Sequence, residues 1–181
     1  MSQKSKVKIV ILAGNRESTN LKAIKKGVEE GRINAEISAV IFDIKELPLI
    51  EKIHPDFICL TGWKEIIPDD LIEKYPNKIL NLHPGLIPDT PNGKVMNPDN
   101  TEALWNKGKF TNKAIQNFLD EKSTFAGSSI HFLTLNFDFG PVLGRIFEKI
   151  KEHDNVESLY SRLKKKENQL YVEVLSKLTN E

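Results

Sequence analysis

The chain has 181 residues, enough to bury a core; 39% are hydrophobic, a globular fraction, and 28% are charged, which favours solubility. Lys plus Arg number 26 and Asp plus Glu 25, so a net charge of +1 gives no reason to expect a nucleic-acid-binding face. Cys59 is the only cysteine, which excludes an intrachain disulfide; its apolar run Phe57–Leu60 marks it as a buried small residue.

Met1–Lys8 carries charge with no long apolar run behind it, and no segment approaches the ~20 apolar residues of a membrane span. The expectation is a soluble cytoplasmic protein, one domain over 1–181. It would be a monomer or homodimer acting on small molecules, with neither nucleic acid nor membrane as a partner.

Val7–Ala13 is a short apolar run closed by Gly14, suited to a buried parallel strand. Leu21, Ile24 and Val28 at helical spacing predict a helix over Leu21–Gly31. Ile37–Phe42 reads as a second strand, Ile44–Ile53 as a short Pro-interrupted connection and Asp56–Thr61 as a third strand. Pro68–Tyr75 reads as a short helix opened by its proline, and Ile79–Leu82 as a fourth strand. Strands alternating with helices predict an α/β fold, a mostly parallel twisted sheet flanked by helices.

Beyond Pro88 the pattern changes. Asp89–Asn100 is rich in Asp, Asn, Pro and Gly and reads as a loop. Thr101–Gly108 and Asn112–Lys122 read as helices. Gly127–Leu135 reads as a strand with Ser129, His131 and Leu133 on one face, and Asn136–Pro141 as a turn. Val142–Ile150 reads as a strand able to run antiparallel to its neighbour, and Val156–Leu178 as a long last helix.

Asn81 and His83 lie two positions apart in a strand, so they share a face at its C-terminal mouth, where ligands bind in open α/β sheets. An amide can hold a developing oxyanion, and an imidazole can move a proton near neutral pH. The bland alternative is a hydrogen-bonded loop histidine. Asp138, on the Asn136–Pro141 turn, can orient an imidazole and order a water, or simply stabilise its own turn. Ser18, Thr19 and Asn20 open the first helix after Gly14, where backbone N–H groups can hold a phosphate or merely cap the helix. One glycine there falls short of a dinucleotide fingerprint, and Asp43 reads as a turn residue. His131 reads as structural, and the four histidines have no metal-ligand spacing, so no metal is expected. Taken alone, Glu167 beside Lys164–Lys166 reads as a surface residue.

Asn-Leu-His-Pro-Gly-Leu-Ile-Pro, followed downstream by Ser-Ile-His-Phe-Leu-Thr and Asp-Phe-Gly-Pro, resembles the formyltransferase family. The family pattern is Asn-x-His-Pro-Ser-Leu-Leu-Pro, then Ser-Val-His-Phe-Val-Thr and Asp-Gly-Gly-Pro. The likeness runs through about residues 7–88 and 125–175 and implies a Rossmann-like formyltransferase fold. It further implies that 10-formyltetrahydrofolate donates a formyl group to the amine of glycinamide ribonucleotide, a step of de novo purine biosynthesis. Asn81, His83 and Asp138 become the catalytic trio. Ser18, Thr19 and Asn20 become the phosphate loop, and Trp63, Lys64, Glu65, Ile66 and Ile67, with Asn81, the folate-binding stretch. Arg162, Glu167 and Tyr171 fit the last-helix pattern, with Glu167 as an acid contacting the acceptor.

Departures from the pattern are Arg16-Glu17 in the phosphate loop, Gly85 in place of Ser, Phe139 in the double glycine and Leu135 in place of an acid. The unfamiliar stretch 89–125 replaces the segment that covers the family's active site. The same chemistry with another amine, such as an amino sugar nucleotide, or with water as a formyltetrahydrofolate hydrolase, stays open. So does a non-catalytic nucleotide-binding domain.

Overall fold

The computed structural model describes residues 6–180; the first five residues, part of the charged start noted above, lie outside the described residues. Six strands form one sheet in the order β2-β1-β3-β4-β5-β6. These are β1 (Val7–Ala13), β2 (Ala35–Ile41), β3 (Phe57–Thr61), β4 (Ile79–His83), β5 (Phe125–Phe132) and β6 (Val142–Lys149). The first four run parallel, while β5 is antiparallel to both β4 and β6. The helices are α1 (Thr19–Glu29), α2 (Pro48–Ile53), α3 (Asp69–Lys74), α4 (Thr111–Asp120) and α5 (Val156–Asn180).

The parallel half follows from its apolar runs. Ile9 to Ala13 are all fully buried, as a strand covered on both faces requires. Alternation sends Ile9, Ile11 and Ala13 into a core with Leu21 and Ile24 of α1 and Tyr171 and Leu175 of α5. Val10 and Leu12 face Ile50 of α2 and Leu71 of α3. The Tyr171 hydroxyl donates to the carbonyls of Leu60 (2.9 Å) and Leu80 (3.2 Å), tying α5 to β3 and β4. Among the described residues no helix is long and apolar enough to cross a membrane.

Two sequence expectations are corrected. The connection Ile44–Ile53 is helical for most of its length, a 3-10 turn over Ile44–Glu46 followed by α2, because Pro48 sits at the helix start where its missing N–H costs nothing. Thr101–Gly108 is not a helix. Its backbone bonds point outward instead: Ala103 N–H to Val95, and the Leu104 carbonyl to Leu86 N–H. Asn106 (φ 57°) and Gly108 (φ 76°) are left-handed, which stops helical propagation. Thr101–Gly108 is therefore an extended strap. With α4 it roofs a third apolar cluster around Leu86, Ala103, Ile115 and Phe118.

Candidate active site

β4 ends at His83, and antiparallel pairing sets Asn81 opposite His131 and His83 opposite Ser129. Directly opposed residues share a face, so Asn81, His83, Ser129 and His131 converge on one side of the sheet. The Asn81 amide nitrogen lies 3.3 Å from His131 Nε2, and the two imidazoles meet edge to face at 6.4 Å. The turn after β5 brings Asp138 Oδ1 to 3.6 Å from His83 Nδ1. Asp138 is itself left-handed (φ 50°), a conformation that Asp tolerates better than most residues.

The pocket is dry. His83 is 2% exposed and His131 fully buried, while Asn81 and Asp138 are half-buried. Burial first, then the charge of His83, pushes His131 down to about 4, so it is neutral at physiological pH and can accept the Asn81 N–H. Burial of Asp138 works against its ionisation. The adjoining His83 and the Gly108 N–H outweigh that and hold its carboxyl below the ordinary value.

Among the described residues no group of three or more His, Cys, Asp or Glu side chains could hold a metal ion. Cys59 is fully buried and burial pushes its thiol up, so it is inert.

The formyl transferase family pattern matches residues 45–175. The chain belongs to this family. It is 29% identical over 133 residues to a chloroplastic phosphoribosylglycinamide formyltransferase of Arabidopsis thaliana, covering 74% of this chain and 41% of that protein. The chain thus spans less than half the length of that relative. In fold it resembles glycinamide ribonucleotide transformylase 1 of Symbiobacterium toebii (TM-score 0.75, 23% identity, 97% of this chain and 88% of that one). A formyltetrahydrofolate deformylase of Pseudomonas syringae is also similar (TM-score 0.74, 16% identity, 95% and 61%).

In this formyl transferase chain the other expected site residues occupy two separate places. Ser18 caps α1, its hydroxyl accepting from Leu21 N–H at 3.3 Å; Thr19 follows half-buried, and Asn20 is buried with its side-chain oxygen unpartnered. This loop lies against β3, with the Gly14 N–H donating to the Thr61 carbonyl at 3.0 Å. A Cβ on Gly14 would come within 2.0 Å of the Gly62 carbonyl, so only glycine permits that approach. Trp63 to Ile67 form the loop after β3. Trp63 is half-buried with its indole N–H unpartnered, Lys64, Glu65 and Ile66 are exposed, and Ile67 is buried in the core.

Glu167 is not a surface residue: it is 2% exposed, and its carboxyl accepts the Ser128 hydroxyl at 2.6 Å. Burial pushes it up to about 7, with Ser128 pulling the other way. Because Ser128 alternates with Ser129, Glu167 lies on the α5 side of the sheet, the face opposite Asn81 and His83.

His131, which reads as structural, is buried and holds the Asn81 amide. Sequence reasoning missed two contributors, both from the strap. The Trp105 carbonyl takes His83 Nε2 at 2.7 Å, and the Gly108 N–H donates to Asp138 Oδ2 at 2.7 Å. The available signal was Asn106 and Gly108, turn formers inside a stretch read as helix.

Proposed function

We propose that the chain transfers a formyl group from 10-formyltetrahydrofolate to the amine of glycinamide ribonucleotide, as one domain over 1–181 working in purine biosynthesis. The observation that carries this reading is the meeting of Asp138, remote in sequence, with His83 and its neighbour Asn81 at the end of β4. The acceptor amine attacks the formyl carbon, forming a C–N bond and a tetrahedral oxyanion. Asn81 uses one amide N–H on His131 and has a second to offer that oxygen. The proton leaving the amine passes to the His83–Asp138 pair. It then goes to the folate nitrogen as the bond from carbon to that nitrogen breaks. Ser18, Thr19 and Asn20 hold the acceptor phosphate, and Trp63 to Ile67 with Asn81 hold the pterin; Glu167, buried against Ser128 on the opposite face, is left out of the acceptor site. No step calls for a metal.

The test is to mix the protein with both substrates and follow tetrahydrofolate release. Release that depends on glycinamide ribonucleotide is the expected result; none above background would remove the proposal. Release without any amine would favour the second reading, a formyltetrahydrofolate hydrolase, which the fold likeness to a deformylase supports.

A further inference from the structure

Both nitrogens of His83 already have protein neighbours. Nε2 lies 2.7 Å from the Trp105 carbonyl, and a carbonyl can only accept, so Nε2 must carry a hydrogen. Nδ1 faces Asp138 Oδ1 at 3.6 Å, too long for a formed hydrogen bond and close enough to share an added proton. The same strap that fixes Nε2 fixes the far side of the carboxylate, through the Gly108 N–H on Asp138 Oδ2. It also binds the turn backbone, with the Trp105 indole N–H donating to the Asp138 carbonyl at 3.0 Å. The outer atoms of the pair are spoken for, and the inner atoms confront each other.

Asn106 anchors this strap. Buried and left-handed, it donates from its side chain to the carbonyls of Pro84 (3.1 Å) and Ala114 (3.2 Å) and accepts from Asn117 at 2.8 Å. Pro84 directly follows His83, so one amide joins the strap to the turn that carries the imidazole. Gly85 makes the arrangement possible: a Cβ there would lie 1.9 Å from the Trp105 carbonyl oxygen and 3.0 Å from His83 Nε2. The family pattern has serine at this place, so the departure at Gly85 and the unfamiliar segment belong together.

We propose that Asn106 is a positioning residue. Its side chain holds the Trp105 carbonyl on His83 Nε2, fixes the imidazole in the Nε2–H tautomer and leaves Nδ1, opposite Asp138, as the one nitrogen that takes and gives the catalytic proton. The catalytic consequence rests on the proton-handling role given to His83 above; the tautomer does not. Without the clamp the neutral ring could carry its hydrogen on either nitrogen, and the fraction with it on Nδ1 could not accept a proton there.

The test is nitrogen-15 NMR of the full chain labelled at histidine, without substrate and at mildly alkaline pH, with His83 identified by the signals lost in His83→Gln. A single neutral tautomer protonated at Nε2 is expected; a proton on Nδ1, or a mixture, would overturn the proposal. Asn106→Gly tolerates the left-handed backbone and removes only the amide. It should yield a tautomer mixture, a kcat loss of about tenfold or more with KM within about twofold, and a displaced kcat–pH profile. Wild-type tautomer and profile in a folded Asn106→Gly would refute the assignment. Should that variant not fold, Gly85→Ala, whose methyl expels the carbonyl, must give the same mixture, and an unaltered tautomer there would equally refute it. A clamped tautomer in a chain that formylates no amine would sink the proposed function and leave the clamp standing.

Discussion

The parallel and antiparallel halves of the sheet are built from different materials. In β1 and β3, Ile9 to Ala13 and Ile58 to Leu60 bury only apolar side chains and a thiol. In β5, Ser128, Ser129 and His131 are fully buried and polar. Each has a partner: Ser128 the Glu167 carboxyl, Ser129 the Gly85 carbonyl and the Ile87 N–H, and His131 the Asn81 amide. His131 Nδ1 alone among these groups is left unpartnered. A buried polar group without a partner costs about 1–3 kcal/mol, a cost that falls in β5 on one ring nitrogen. Ser129 and His131 of this polar set lie opposite His83 and Asn81.

Breaking the polar side should show first in the chemistry. His83→Ala is expected to lower kcat for the proposed formyl transfer by about 10²–10⁴-fold, the usual contribution of a positioned acid–base group, beyond any loss of stability from the Trp105 carbonyl losing its buried donor. A rate within a few-fold of wild type would remove His83 from the reaction. The apolar side should behave oppositely. Ile11→Ala, in the middle of β1, should cost about 2–5 kcal/mol in denaturant unfolding while the activity of the folded fraction holds.

Glu167→Gln sharpens the contrast, since Gln can still accept the Ser128 hydroxyl. The folded carboxyl titrates near 7 against an ordinary 4.5, so between those values the folded chain binds more protons than the unfolded one. Wild-type stability therefore falls as pH rises through that window. The Gln variant should be more stable above pH 7, by up to about 3 kcal/mol for a shift of this size, and the gain should vanish below about pH 4.5. Unfolding curves with an unchanged difference across that range would contradict the assignment. The smallest effect is expected from Tyr171→Phe, about 1 kcal/mol, because two carbonyls lose one donor but remain in the sheet.

The parallel half was legible in the sequence because apolar runs such as Val7–Ala13 and Phe57–Leu60 have one reading at that length. The shared face of Asn81 and His83 followed from strand alternation alone. The reach of Asp138 did not: it depends on a turn folding back over the sheet, and spacing along the chain carries no record of that. Glu167 was misread without the family likeness because helical charge runs are usually solvated, whereas here α5 packs that position against β5. Thr101–Gly108 was misread because Glu102 to Trp105 contain no helix breaker. Long-range backbone bonds to Val95 and Leu86 decided otherwise. The Leu86–Leu104 bond joins positions that no window of a dozen residues contains.

The four histidines differ sharply in access to solvent. His54 and His153 lie open on the surface, whereas His83, held by the strap, and His131 beside it are buried. An acylating reagent should label the outer two within its ordinary reaction time and reach the inner two only when the chain breathes. Their modification rate is thus a built-in clock for opening of the strap, readable by peptide mass spectrometry. A ligand that binds under the strap should slow that clock without touching the outer pair.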